Sequence, residues 1–194
     1  MLVTQLTVVN ACLASMGEEP INSLAEENSF VNSAKFALEN ATVNVESEGW
    51  WFNKEQITLL PDTDGLYRVP ADVIDLDINS NPAWLTMRGQ KLYSVVDGDY
   101  LKGTRSYQAN IIRLVTFEDV PFHAKRLIKA AAVLLFQQSY DGDATKIKEA
   151  ETEYGLAYQL AKSQHIRSVK ANFGTAASRQ TKMLGGHIRL GRHR

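Results

Sequence analysis

Apolar residues recur along the chain with two different periods, and the point where the period changes divides it. Leu2, Leu6, Val9, Leu13 and Met16 alternate steps of four and three, which predicts a helix with one apolar stripe that stops at Gly17. The stretch 17–27 holds Pro20 among polar residues and reads as a loop, with Asn28 or Ser29 available to cap a second helix. In that helix Phe30, Ala34, Ala37, Ala41 and Val45 form a stripe flanked by Val31 and Leu38, and it runs to about Glu48.

Then comes Glu48-Gly49-Trp50-Trp51-Phe52-Asn53. Three aromatic residues directly after a glycine able to take the left-handed conformation place a large apolar mass at a corner between layers. From Gln56 the period becomes two. Ile74, Leu76 and Ile78 alternate with Asp75, Asp77 and Asn79, the mark of a strand with one wet face. Residues 84–87 and 91–96 flank Arg88-Gly89-Gln90 as a hairpin, Asp97-Gly98-Asp99 makes the next turn, and residues 111–115 close the sheet. No crossover helix interrupts these runs, so the expectation is an antiparallel sheet of four to six strands.

Pro121 suits the first turn of a third helix, whose broad apolar set Ala124, Leu127, Ile128, Ala131, Leu134 and Leu135 predicts deep burial. Asp141-Gly142-Asp143 breaks that helix and caps a fourth, with Ile147, Ala150, Tyr154, Ala157, Tyr158 and Ala161 along one side. Beyond about Arg167 the periodicity fades and the sequence reads as a flexible extension. The fold class expected is therefore α+β: a bundle of about four helices with an inserted antiparallel sheet. The domains expected are a discontinuous helical domain (1–54 and 116–166), an inserted β domain (55–115) and a basic C-terminal arm (167–194).

Charge sharpens the last division. Residues 1–153 carry 13 Lys and Arg against 22 Asp and Glu, whereas residues 154–194 carry 8 basic residues and no acid. An acidic body with a basic end favours an interaction arm over a merely solvated terminus, and Arg179, Lys182, Arg189, Arg192 and Arg194 are its candidate partner-binding residues. Phe173 is the one aromatic residue of this arm suited to stacking on bases, so docking onto an acidic protein surface is expected rather than sequence-specific DNA reading.

Candidate chemistry is sparse. The lone Cys12 lies on the first apolar stripe and reads as a core residue, and the chain calls for no disulfide or oxidising compartment. The spacing of Asp75, Asp77 and Asn79 opens like a calcium loop, but Ser80 and Thr86 stand where that loop needs glycine and a bidentate acid. Asp62/Asp64 and Asp97/Asp99 read as turn residues and Glu46/Glu48 as a solvated helix face, against the two carboxylates that a glycoside hydrolase holds across a cleft. His123, His165, His187 and His193 have no partner at zinc-like spacing. No nucleophile, phosphate-loop or dinucleotide motif occurs, so neither catalysis nor a cofactor is expected. No apolar run approaches the length of a bilayer span and the start lacks a signal-peptide pattern, which predicts a soluble chain made in the cytoplasm, without membrane insertion.

Two blocks carry a resemblance. The first runs from Val8-Val9-Asn10 through Leu13, Ser15, Gly17-Glu18 and Pro20 to Ser47, Gly49-Trp50, Phe52-Asn53, Glu55 and Thr58-Leu59-Leu60-Pro61. The second is Asn110-Ile111-Ile112-Arg113-Leu114 with Phe117-Glu118-Asp119-Val120-Pro121. In order and spacing they resemble the tail tubular protein A, or head-to-tail adaptor, family of T7-type short-tailed bacteriophages. The resemblance implies a structural virion protein of the tail, assembled in the host cytoplasm. It implies a dodecameric ring between the portal protein and the tail nozzle (tail tubular protein B), leaving a channel for phage DNA. An isolated chain that is monomeric until a template closes the ring is compatible with it. The alternative expectation is a virion-associated hydrolase acting on cell-wall glycan or exopolysaccharide.

Overall fold

The computed structural model describes residues 2–184 apart from Glu27, residues 79–83 and Asp141, with side chains described as far as Lys170. Four helices and two small antiparallel sheets make a mixed α+β fold. Helix α1 (Gln5–Met16) begins at Thr4, which forms a capping box with Thr7, and ends at Gly17 with φ of 84°. There the amide of Glu18 reaches back to the carbonyl of Leu13 at 3.0 Å, closing the helix in a left-handed turn. Asn10 fixes the loop beyond it. Its amide oxygen accepts from the Ile21 N–H at 2.9 Å and its amide nitrogen donates to the Ile21 carbonyl at 3.0 Å. Helix α2 (Ser29–Ser47) is capped by the side chain of Asn28.

The buried stripe of α1 is Val8, Val9, Cys12 and Leu13, with Leu6 and Met16 of the expected stripe half-buried at its margin, so the face is the expected one turned slightly. Leu2 precedes the helix and is 83% exposed. The three–four pattern of apolar residues fixes a helix but not which flank meets its neighbours. That is decided by α3 (Phe122–Tyr140), which packs against α1, α2 and α4 (Ala144–Leu184) and so occupies the middle of the bundle. Ala130, Ala131 and Ala132 on α3 and Ala34, Ala37 and Ala41 on α2 are buried, and such small residues let helix backbones approach closely. Asp143 caps α4, its carboxylate accepting from the Thr145 and Lys146 amides at 2.8 and 3.1 Å. The α4 backbone is helical to Leu184, beyond the point near Arg167 where the apolar pattern fades. Ala171, Ala176, Ala177, Arg179, Gln180 and Lys182 are good helix formers, so propensity continues the helix after the amphipathic stripe has ended.

The β portion differs from a single sheet. Strands β1 (Lys54–Leu59), β6 (Tyr107–Arg113) and β2 (Val73–Ile78) form one sheet in the order β1-β6-β2, and β3 (Leu85–Arg88), β4 (Lys91–Ser94) and β5 (Asp99–Tyr100) form a second in chain order. The last strand does not close an edge. It is central, pairing Ile111 with Glu55 on one side and with Leu76 on the other. Leu114 and Val115 lie past its end. The β3–β4 turn is the pair Gly89 and Gln90, both at positive φ (55° and 58°), the backbone that matches the right-handed twist of a two-residue hairpin.

Two apolar clusters result. One gathers the four helices with Trp50, Phe117 and Val120. The other lies between the sheets and holds Tyr67, Leu76, Leu92, Ala109 and Ile111.

Candidate functional site

The best-defined polar structure is the junction where the chain leaves the helices and returns to them. Gly49, at φ of 70°, turns the chain out of α2, and a β-carbon there would lie 2.6 Å from Lys54 Cε and 2.7 Å from Ile112 Cδ1. The backbone sign calls for glycine, and a β-carbon would also push aside the ends of the Lys54 and Ile112 side chains. Trp50 then turns inward, its indole N–H donating to the Val45 carbonyl at 2.7 Å. Its ring meets Trp51, Tyr158 and His165 edge to face, and Lys162 lies over it with Nζ 5.9 Å from a ring centre. The aromatic corner thus joins the end of α2 to α4.

Asn53 has no exposed surface and holds three backbone segments together. Its Oδ1 accepts from the Trp50 N–H at 2.7 Å, while Nδ2 donates to the carbonyls of Glu46 at 2.8 Å and Arg113 at 3.0 Å. The Arg113 N–H in turn donates to the Asn53 carbonyl at 3.0 Å. The outgoing and returning strands are therefore cross-linked at one residue.

Glu46 corrects the reading of a solvated Glu46/Glu48 face. It is fully buried, and its Oε2 accepts from the Val115 N–H at 2.7 Å, while Glu48 is exposed and accepts from the Tyr158 hydroxyl at 3.1 Å. Burial pushes the Glu46 carboxyl upward, and the Val115 amide opposes that in part. Helical periodicity alone gives no sign that the returning strand covers this flank. Arg113 completes the junction with bonds to Asp72 at 2.5 Å and Glu55 at 3.1 Å; its hydrogen bond with Asp72 raises the guanidinium's affinity for its proton and lowers the Asp72 pKa.

Several of the remaining candidate residues have structural partners. Asp62 accepts from the amides of Asp64 and Leu66, both at 2.9 Å, and from Arg68 Nε at 2.7 Å, and the Leu66 amide does most to lower its pKa. Asp97 accepts from the Ser94 hydroxyl at 2.6 Å, and Asp99 accepts from the Tyr100 amide at 2.7 Å. His165 lies among Trp50, Trp51 and Lys162, and desolvation, followed by Lys162 and Lys54, lowers its pKa. His123 adjoins Phe122 at the start of α3. Cys12 is buried in the helical core, which pushes its thiol up to about 12. Among the described residues no cluster of three His, Cys, Asp or Glu could hold a metal ion, and no helix is long and apolar enough to cross a membrane. Arg179 and Lys182 fall on α4, but their side chains lie outside the described residues, as do Arg189, Arg192, Arg194, His187 and His193.

Two concave surfaces of similar size lie among the described residues. An open groove of about 430 Å³ runs between α1, α2 and the returning segment, lined by Val9, Leu38, Val43, Val115 and Phe117 with Lys35 and Glu39 among its polar residues. A second cleft of about 420 Å³ lies on the first sheet, among Lys54, Glu55, Gln56, Asp75, Asp77 and Asn110.

The geometry describes a body of contacts, and comparison with known proteins gives it a setting. Residues 6–167 match the family described as tail tubular protein, a span that runs through both apolar clusters. The chain is also similar to the tail tubular protein A of Klebsiella phage KP34, with 24% identity over 184 residues covering 93% of this chain and 95% of that protein. The chain belongs to the tail tubular protein family and is a structural component of a phage tail.

Proposed function

We propose that the protein is the adaptor subunit of a short-tailed phage: a ring of twelve copies that joins the portal to the tail nozzle and leaves an axial channel for DNA ejection. The observation that carries this reading is the family match across residues 6–167, which takes in the helical core, the junction and the β core together. A part that couples two machines needs unlike surfaces held at a fixed mutual angle, and the Asn53 and Arg113 cross-links supply that stiffness between helices and strands. In this reading 1–54 and 116–166 form a helical domain directed at neighbours and portal, and 55–115 form a β domain directed at the nozzle. Residues 167–194 form a basic arm that adds to the grip on the portal through Arg179, Lys182, Arg189, Arg192 and Arg194. The role requires no catalytic residue and no cofactor.

The test is particle imaging of the full chain mixed with purified portal. A twelve-fold layer beneath the portal is expected, and removal of residues 168–194 is expected to thin its occupancy. A portal that stays bare at concentrations saturating for assembly would overturn the reading.

A further inference from the structure

The two sheets share one apolar core, so each has an outer face turned away from it. Strand alternation assigns those faces. On the first sheet Leu76, Ile78, Ala109 and Ile111 point inward, and Asp75 and Asp77 on β2, Asn110 on β6 and Gln56 on β1 point outward, all four exposed. On the second sheet Leu92 points inward, and Thr86, Arg88, Lys91, Tyr93 and Tyr100 share the outer face.

The charges of these faces are opposite, and neither is neutralised by an ion pair among the described residues. Asp75 and Asp77 make none there. Arg88 and Lys91 meet no carboxylate there either, and lie instead over the rings of Tyr93 and Tyr100 at 4.8 and 5.3 Å. Arg88 and Lys91 stand on either side of the two-residue turn, and Asp75 and Asp77 line the cleft of about 420 Å³ with Lys54 and Glu55, the latter already paired with Arg113, so the cleft keeps a net negative charge.

We propose that the β3–β4 hairpin tip of one copy docks into the Asp75/Asp77 cleft of a second copy, so that the β portions contact head to tail. The inference rests on the ring reading above and names a surface through which neighbours touch. Unlike faces on one subunit are what a heterologous, closing interface needs, because each copy then donates a tip and receives one. A nucleic acid is the weaker match to the basic face: the tyrosine rings that bases would stack upon are already covered by the chain's own cations.

The test is charge reversal in the full chain, read as the ring layer formed with portal. Arg88→Glu with Lys91→Glu makes both faces acidic, and Asp75→Lys with Asp77→Lys makes both basic. Either variant alone is expected to need about tenfold or more higher concentration to form the layer. An equimolar mixture of the two, or one chain carrying all four changes, restores opposite charges at every contact and is expected to restore assembly. Circular dichroism and thermal melting verify that the variants fold. A second measurement avoids reversing any charge: copies carrying Asp77→Cys are mixed with copies carrying Arg88→Cys and oxidised. A disulfide between the unlike variants, exceeding that between like ones, is expected, and the native Cys12 is too buried to interfere.

Wild-type layers that survive both reversals unchanged, or reversals that the mixture does not rescue, overturn this contact while leaving the ring reading intact. So does a normal ring that has lost only DNA retention on Arg88/Lys91 reversal, which would assign the face to nucleic acid. A wild-type chain that forms no layer overturns both.

Discussion

Replacing Asn53 by alanine removes three hydrogen bonds from a residue with no exposed surface. The Trp50 N–H loses its side-chain acceptor, a loss of about 2 kcal/mol for a buried donor left without a partner. The Glu46 carbonyl retains the Gly49 N–H at 3.1 Å, so its loss is smaller, and the Arg113 carbonyl is only partly buried. Together these give a destabilisation of about 3 kcal/mol, which for a chain of this size lowers Tm by roughly 6–12 °C. Urea unfolding with both far-ultraviolet and tryptophan signals measures it, with the slope m expected to be unchanged. Asn53→Asp separates geometry from mere volume. It keeps the acceptor for Trp50 but sets a carboxylate against two carbonyl oxygens, so it should lose at least as much stability at about pH 7 and recover part of it towards about pH 5, where protonation supplies a donor again. A cost below about 1 kcal/mol for Asn53→Ala, or pH-independent behaviour for Asn53→Asp, would refute the assignment of Asn53 as the cross-link of the junction.

Other outcomes rest on the same contacts. Because the folded-state pKa of His165 lies below its ordinary value of 6.5, the unfolded chain takes up a proton that the folded chain refuses. Stability should therefore fall as pH drops through about 6.5 towards the folded value, and His165→Phe should flatten that part of the pH–Tm curve. Gly49→Ala meets both a left-handed backbone and contacts of 2.6 and 2.7 Å. It should cost about 1–3 kcal/mol in urea unfolding, and a neutral result would show that the corner yields. Cys12, with its thiol pushed up to about 12, should resist alkylation in the folded chain and react as the chain unfolds, so labelling that is fast in native buffer would contradict its burial.

The four helices and strands β2, β3 and β4 were legible in the chain alone, because they depend on local quantities, whereas β1 was not singled out and Asp99, the start of β5, read as turn. The three–four steps of apolar residues set the helices, Gly17 ended α1, Asp143 capped α4, and the alternation around Asp75 and Asp77 set β2 with one wet face. The blocks that resembled a tail protein were also visible, and several of their residues prove to have architectural roles: Asn10 pins the loop at Ile21, Gly49 and Trp50 turn the corner, and Asn53 meets Arg113. The flank of α1 that is buried, the division of the strands between two sheets, and the central place of β6 came from tertiary contacts, since each depends on which distant segment arrives alongside. Glu46 shows why. Its neighbours in sequence mark it as a surface carboxylate, and it is the Val115 amide, 69 positions away, that makes its burial tolerable. Periodicity reports what a residue's own helix presents, while burial of a charge is settled by the partner that the fold brings to it.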